Sequence, residues 1–224
     1  MIGSNGKEAL ALAQKEIPDI VISDIMMPEM DGMAFIQALK ADSKTDHIPV
    51  IFLTAKSSDV QRMEGLEQEA HAFLSKPFHA RELQLVLQNT LKNQQRLQVR
   101  FQGEVVLSPS EVAVSSQEAL FLEKLTDYLE AHIDHTDMSV EEVADHMALS
   151  RSQLHRKLKA LTGQSPSLFI RNFRLQRAKQ LLEADFGNIS EIADAIGISS
   201  PAYFSRIFTE KFGSSPSKWT SGES

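Results

Sequence analysis

Two sets of residues in this chain are placed to do chemistry. The first is Asp24, inside "DIVISDIMMPEMDG", Asp19 to Gly32. It ends the apolar run Ile20, Val21, Ile22, where a charge is costly unless something compensates it. A strand whose C-terminal end carries a reactive carboxylate fits this pattern. An ordinary strand-to-loop transition fits it too, and the segment alone leaves both open. The second set is cationic. Between Ser150 and Leu182 lie eight bases (Arg151, Arg156, Lys157, Lys159, Arg171, Arg174, Arg177, Lys179) and no acid. Arginine donates two hydrogen bonds to guanine in a major groove, and a long block of one sign suits a polyanion.

Bulk composition bounds what else the chain can be. Its 224 residues suffice for one large domain or two small ones. With 42% hydrophobic and 24% charged residues it has the balance of a globular protein. Cysteine is absent, which excludes disulfides, thiol catalysis and Cys-based zinc sites. No apolar run approaches the roughly 18 residues of a membrane span, and the N-terminus lacks a secretory pattern, so a cytoplasmic location is expected. The net charge of −7 argues against nucleic acid only as an average. Ten acids against one lysine lie between Glu111 and Asp145, just before the basic block. Local charge sets a partner surface more than the sum does.

Over residues 1–100 helix-like and strand-like segments alternate. "NGKEALALAQKE", "GMAFIQALKAD", "SSDVQRMEGLEQ" and "ARELQLVLQNTLKNQQ" read as helices, and "DIVISD", "IPVIFLTA" and "HAFLSKP" as strands. Continuous apolar strands between helices predict a parallel α/β sheet. Residues 101–117 lose the period and read as a linker. Residues 118–221 read as all-helical.

That second part repeats itself. "VEEVADHMALS" (Val140–Ser150) matches "ISEIADAIGIS" (Ile189–Ser199) at an offset of 49, and beyond the turn the offset becomes 50. Each unit reads as a short helix, a tight turn and a second helix that starts at a serine and stops at a glycine: a helix-turn-helix over 139–162 and again over 189–212. Leu154, Leu158 and Leu161 form one apolar face in the first second-helix; Phe204, Ile207 and Phe208, with Phe212 a turn on, form it in the other. Outward lie Arg151, Ser152, Gln153, Arg156 and Lys159 in the first, and Pro201, Ala202, Tyr203, Ser205 and Arg206 after Ser200 in the second. Gln153 suits an adenine, Ala202 and Tyr203 a thymine methyl, and Lys157 and Lys159 phosphates. "PSLFIRNFRLQRAKQLLEAD" between the units carries a stripe of Phe169, Phe173, Leu175, Ala178 and Leu182. About 19 residues at about 1.5 Å each make a strut of about 28 Å, near one DNA turn.

The segment from Ala119 to Trp219 resembles the AraC/XylS class of DNA-binding domain, through "SRSQLHRKLKALTGQSPSLFIRNFRLQRAKQLL" and "ISEIADAIGISSPAYFSRIFTEKFGSSPSKW". The resemblance implies two helix-turn-helix units bridged by a helix, double-stranded DNA as partner and promoter control. Pro201 and Ala202 are poor donors, so shape and methyl groups are expected to matter in the second unit.

"DIVISDIMMPEMDG", "VIFLTA" and "FLSKPF" in turn resemble the receiver domain of two-component response regulators. That likeness implies a flavodoxin-like fold with strand order 2-1-3-4-5. It implies Asp24 as phosphoacceptor, Thr54 and Lys76 as partners of the phosphoryl group, Phe73 as switch aromatic and a cis Lys76–Pro77 bond. Mg²⁺ is the implied cofactor, with ligands at Asp24 and the Met26 carbonyl. The family's acidic pair lies at the end of a first strand for which this chain has no counterpart. Little or no Mg²⁺ binding or phosphorylation by the chain alone is therefore expected. So is an unpaired edge at Ile20, Val21 and Ile22, open to association or to a homodimer.

The combination implies a transcription regulator of a phosphorelay, not an enzyme itself, served by an upstream histidine kinase. The linker and the first basic helix resemble those of hybrid sensor kinases. The competing reading is a phosphoacceptor module acting through protein–protein contacts without DNA. His132 and His135 have no further ligand at useful spacing, which speaks against a metal site.

Overall fold

The computed structural model describes residues 1–55, 72–103 and 116–220. Three strands, β1 (Val21–Asp24), β2 (Val50–Ala55) and β3 (Ala72–Lys76), form a parallel sheet in that order. Around it stand α1 (Gly6–Glu16), α2 (Gly32–Ala41) and the long α3 (Ala80–Gly103). The expectation of a helix over "SSDVQRMEGLEQ" falls outside the described residues. Asn5 caps α1 by accepting from the Glu8 N–H, and Asp31 caps α2 by accepting from that of Ala34. The core between sheet and helices holds Ala13, Ile17, Phe35, Ile36, Leu39, Ile48, Val50 and Phe52. β1 pairs on one side with β2. Ile22 is 41% exposed on this edge strand, an apolar residue that a covered strand would bury.

α3 continues to Gly103 and α4 (Ser116–Ala131) begins at Ser116, so both ends of the expected linker 101–117 are helical. Then follow α5 (Val140–His146), α6 (Arg151–Thr162), α7 (Pro166–Glu183), α8 (Ile189–Ala195), α9 (Pro201–Phe212) and α10 (Pro216–Thr220). The repeat is visible in the capping. Ser139 with Glu142, and Asn188 with Glu191, form capping boxes at the first helix of each unit. Ser150 and Ser200 cap the second helices, and Gly163 (φ 73°) and Gly213 (φ 77°) end them in the left-handed conformation. The turns repeat as well: Ala148 (φ 54°) and Gly197 (φ 67°), 49 positions apart, are both left-handed.

Each unit has its own core. Leu154 and Leu158 pack with Leu125, Leu129, Val143 and Phe173 in the first; Phe204, Ile207 and Phe208 pack with Ile192, Ile196 and Leu182 in the second. α7 serves both. Phe169, Ile170 and Phe173 enter the first core, and Leu175, Ala178 and Leu182 the second. At 18 residues it is about 27 Å long. Ile170 lies outside the stripe expected from the sequence because a helix that faces two cores in succession has no single apolar side.

Candidate phosphoacceptor site and nucleic-acid interface

Parallel register brings the expected phosphoryl-handling residues to one edge of the sheet. Asp24 ends β1 opposite Leu53, Thr54 pairs with Ser75, and Ala55 with Lys76. The Lys76 ammonium contacts the Asp24 carboxylate directly, and the Met26 N–H approaches its other oxygen at 3.4 Å. Burial pushes the Asp24 carboxyl up, but the ammonium and the N–H groups of Met26 and Ile25 outweigh it and hold it below its ordinary value. The carboxylate is thus ionised and, at 38% side-chain exposure, accessible. Such an exposed pair adds little stability, so its interest is chemical. Thr54 is buried at the end of β2. Phe73 is half-buried with its ring 5.9 Å from that of Phe52, and the Lys76–Pro77 bond is cis.

The turn after Asp24 depends on Gly32. Its N–H donates to the Ile25 carbonyl at 2.7 Å, and a Cβ there would lie 2.3 Å from the Asp24 carbonyl oxygen. Backbone is the obstacle, so the turn itself must move. Gly32→Ala is expected to cost about 1–3 kcal/mol and to speed hydrogen exchange at the β1 amides. Unchanged exchange there would show that the turn tolerates the methyl group.

Among the described residues no cluster of three or more His, Asp or Glu side chains could hold a metal ion. Asp24 and the Met26 carbonyl supply at most part of the six-oxygen shell that Mg²⁺ demands. The residues described do not by themselves fit that cofactor.

The helical domain presents its two second-helices differently. On α9, Ser200, Pro201, Ala202, Tyr203 and Arg206 are exposed, and Ser205 is half-buried. The Ser200 hydroxyl accepts from the Tyr203 N–H, and the Arg206 guanidinium lies 5.3 Å from the Tyr203 ring centroid. On α6, Arg151 pairs with Glu141 at 2.7 Å, and Ser152 and Lys159 are exposed. Gln153, expected to face an adenine, closes a capping box: its side-chain oxygen accepts from the Ser150 N–H. Its amide donates to the Gln14 carbonyl in the receiver part, and Arg156 donates to that of Glu16.

Lys157, expected at a phosphate, is fully buried instead. It meets Asp46 at 2.7 Å and lies 4.5 Å from the Phe121 ring centroid. The basic block is also partly neutralised within the molecule, because Arg177 reaches Glu130 at 2.8 Å and Lys179 reaches Glu183 at 3.7 Å. Arg174 has a structural position that sequence reasoning missed. From mid-α7 it donates to the carbonyls of His135 (2.5 Å), in the turn before α5, and Gly197 (3.1 Å), in the turn of the second unit, tying both turns to the strut. Serine followed three residues later by glutamine was a legible cap signal for Gln153. Nothing local marked Lys157 or Arg174.

Residues 2–88 match the response regulator receiver domain, and residues 143–222 match a helix-turn-helix domain. Over 215 residues, 96% of this chain, it is 41% identical to histidine kinase P4 of Formosa agariphila, of which it spans 16%. Response regulator Rre1 of Synechocystis is 43% identical over 94 residues, 42% of this chain and 41% of Rre1. Among solved structures, an AraC-type transcriptional regulator from Chromobacterium violaceum aligns at a TM-score of 0.45 and 29% identity, covering 49% of this chain and 97% of that one. The chain has a stretch that matches a response regulator receiver domain, followed by one that matches a helix-turn-helix domain. It thus spans about a sixth to two fifths of the length of these curated relatives.

Proposed function

We propose that this chain is the output part of a two-component phosphorelay: a sequence-specific transcription regulator whose phosphoacceptor, in the full-length protein, is Asp24. One observation carries the DNA half: two capped helix-turn-helix units, each with its own core, are joined by one helix that contributes side chains to both cores. The phosphoryl half rests on the meeting of Asp24 with Lys76 at the sheet edge. A carboxylate oxygen of Asp24 would attack the phosphorus of a kinase phosphohistidine, the P–N bond would break, and the added charge of close to −2 would fall beside the ammonium. The partners are double-stranded DNA and an upstream histidine kinase or kinase domain. The likeness to histidine kinase P4 along nearly the whole chain supports a hybrid-kinase parent, with this part in the cytoplasm. No helix among the described residues is long and apolar enough to cross a membrane. The chain itself is read as a regulator and not as an enzyme.

Gel shifts on promoter fragments of the source genome test the DNA half, with binding that weakens steeply as salt rises. Arg206→Ala is expected to cost about 1–3 kcal/mol of specific affinity and to relax sequence preference, since Arg206 is the exposed guanidinium of α9. Unchanged affinity and preference would remove Arg206 from the reading surface.

A further inference from the structure

A cavity of about 480 Å³ lies at the seam between the two helix-turn-helix units, walled by α7, α9 and the start of α5. That volume is within the range of small-molecule sites. Its apolar lining comes from Leu168 and Ile170 of α7, Ile198 in the turn of the second unit and Ile207 of α9. Arg171 and Arg174 supply its charge, and no acid lines it. An apolar floor beside two guanidinium groups has the chemistry of a site for an anion with a hydrocarbon body.

The two arginines are three positions apart and so share a face of α7. Arg171 is exposed and Arg174 is half-buried. Two of the Arg174 nitrogens donate to the carbonyls of Gly197 (3.1 Å) and His135 (2.5 Å), which fixes the guanidinium at the cavity wall. Its Nε–H is buried and has no acceptor among the described residues. Folded proteins seldom leave such a donor unanswered unless a ligand, ion or water meets the group. Burial pulls the Arg174 guanidinium below its ordinary value, and Asp134 offsets only part of that through space. The Arg171 charge also bears on Lys211, half-buried one helical turn past Ile207. Cationic charge therefore gathers at this seam while the cavity lining holds no carboxylate to balance it.

We propose that this cavity binds a small amphipathic anion, an aryl or alkyl carboxylate. The apolar body rests on Ile170, Ile198 and Ile207. Arg171 holds the carboxylate at the mouth through a fork of two hydrogen bonds, and Arg174 supplies a fixed positive charge behind it. A duplex phosphate suits the arginines but not the aliphatic floor, where a charged group would lose its water without a partner. Tyr203 lines the cavity as well as the exposed side of α9, so the site adjoins the expected reading surface. The inference does not depend on the DNA-binding reading, because the ligand binds with no duplex present.

Titration calorimetry of the full chain with naphthoate, and with its neutral isostere naphthamide, tests the site. Naphthoate should bind saturably, one molecule per chain, and naphthamide about tenfold more weakly, the worth of a charge-assisted pair. Arg171→Gln should weaken naphthoate by about the same factor and leave naphthamide unchanged. Leu168→Trp, which fills the cavity and alters no charge, should abolish the binding of both. No saturable binding of naphthoate, or equal binding of acid and amide, overturns the proposal. Binding that survives L168W places the ligand elsewhere and overturns it too. So does displacement of naphthoate by inorganic phosphate at equal concentration, which would assign the arginines to the phosphates of a duplex instead. Should L168W fail to fold, the comparison of acid with amide in the parent chain and in R171Q still decides.

Discussion

Phe208→Ala is expected to remove about 3–5 kcal/mol from the helical domain, enough to unfold its second unit. The residue is fully buried on α9, on the side away from the reading surface. Its ring lies 5.6 Å from Phe204, 4.6 Å from Phe212 and 5.8 Å from Trp219 by centroid. Truncation loses the transfer free energy of the ring and leaves a cavity among three other large rings that cannot all move inward. Each lost aromatic pair adds about 0.5–1.5 kcal/mol of its own. The measurement is favourable because Trp219 is the only tryptophan in the chain and touches the cluster. Its fluorescence in a urea titration should show the midpoint falling sharply. A midpoint shift worth under about 0.5 kcal/mol, within the range of an ordinary surface change, would show that α9 is not anchored by this ring.

Gly197→Ala should cost about 2–5 kcal/mol, adding the penalty of a left-handed residue with a side chain to that of a steric clash. At φ 67° the backbone is where side chains are disfavoured, and a Cβ would lie 2.5 Å from the Ile133 carbonyl oxygen. That neighbour is backbone and has no rotamer to change. The first unit supplies the control, since Ala148 holds the same left-handed turn at φ 54° with a methyl group present. Ala148→Gly should therefore stabilise the protein, by about 1 kcal/mol. Opposite signs at two repeat-related positions are hard to produce by any route except turn geometry. Thermal unfolding of the two variants side by side checks this, and a loss of stability in both would contradict it.

Much of this was written in the sequence in local terms. The parallel sheet followed from three short apolar runs separated by helices, and register then carried Asp24, Thr54 and Lys76 to one edge. The duplicated units were legible because caps, turns and apolar faces repeat with them. What escaped depends on contacts distant in sequence. Lys157 sits in a basic block and reads as a surface charge, but its partner Asp46 lies 111 positions earlier. Arg174 reads as one more cation, yet it works through backbone carbonyls, which have no letter in a sequence. Ile170 was missed because α7 turns from one core to another, so periodicity measured along the whole helix averages two directions.

Hydroxyl-radical footprinting on promoter fragments of the source genome, at low salt and saturating protein, reaches the central claim most directly. Two protected patches on one face of the duplex, centred about 10–10.5 base pairs apart, are the result expected of two reading helices fixed on one strut. No protection on any fragment, or two patches on opposite faces, would contradict it.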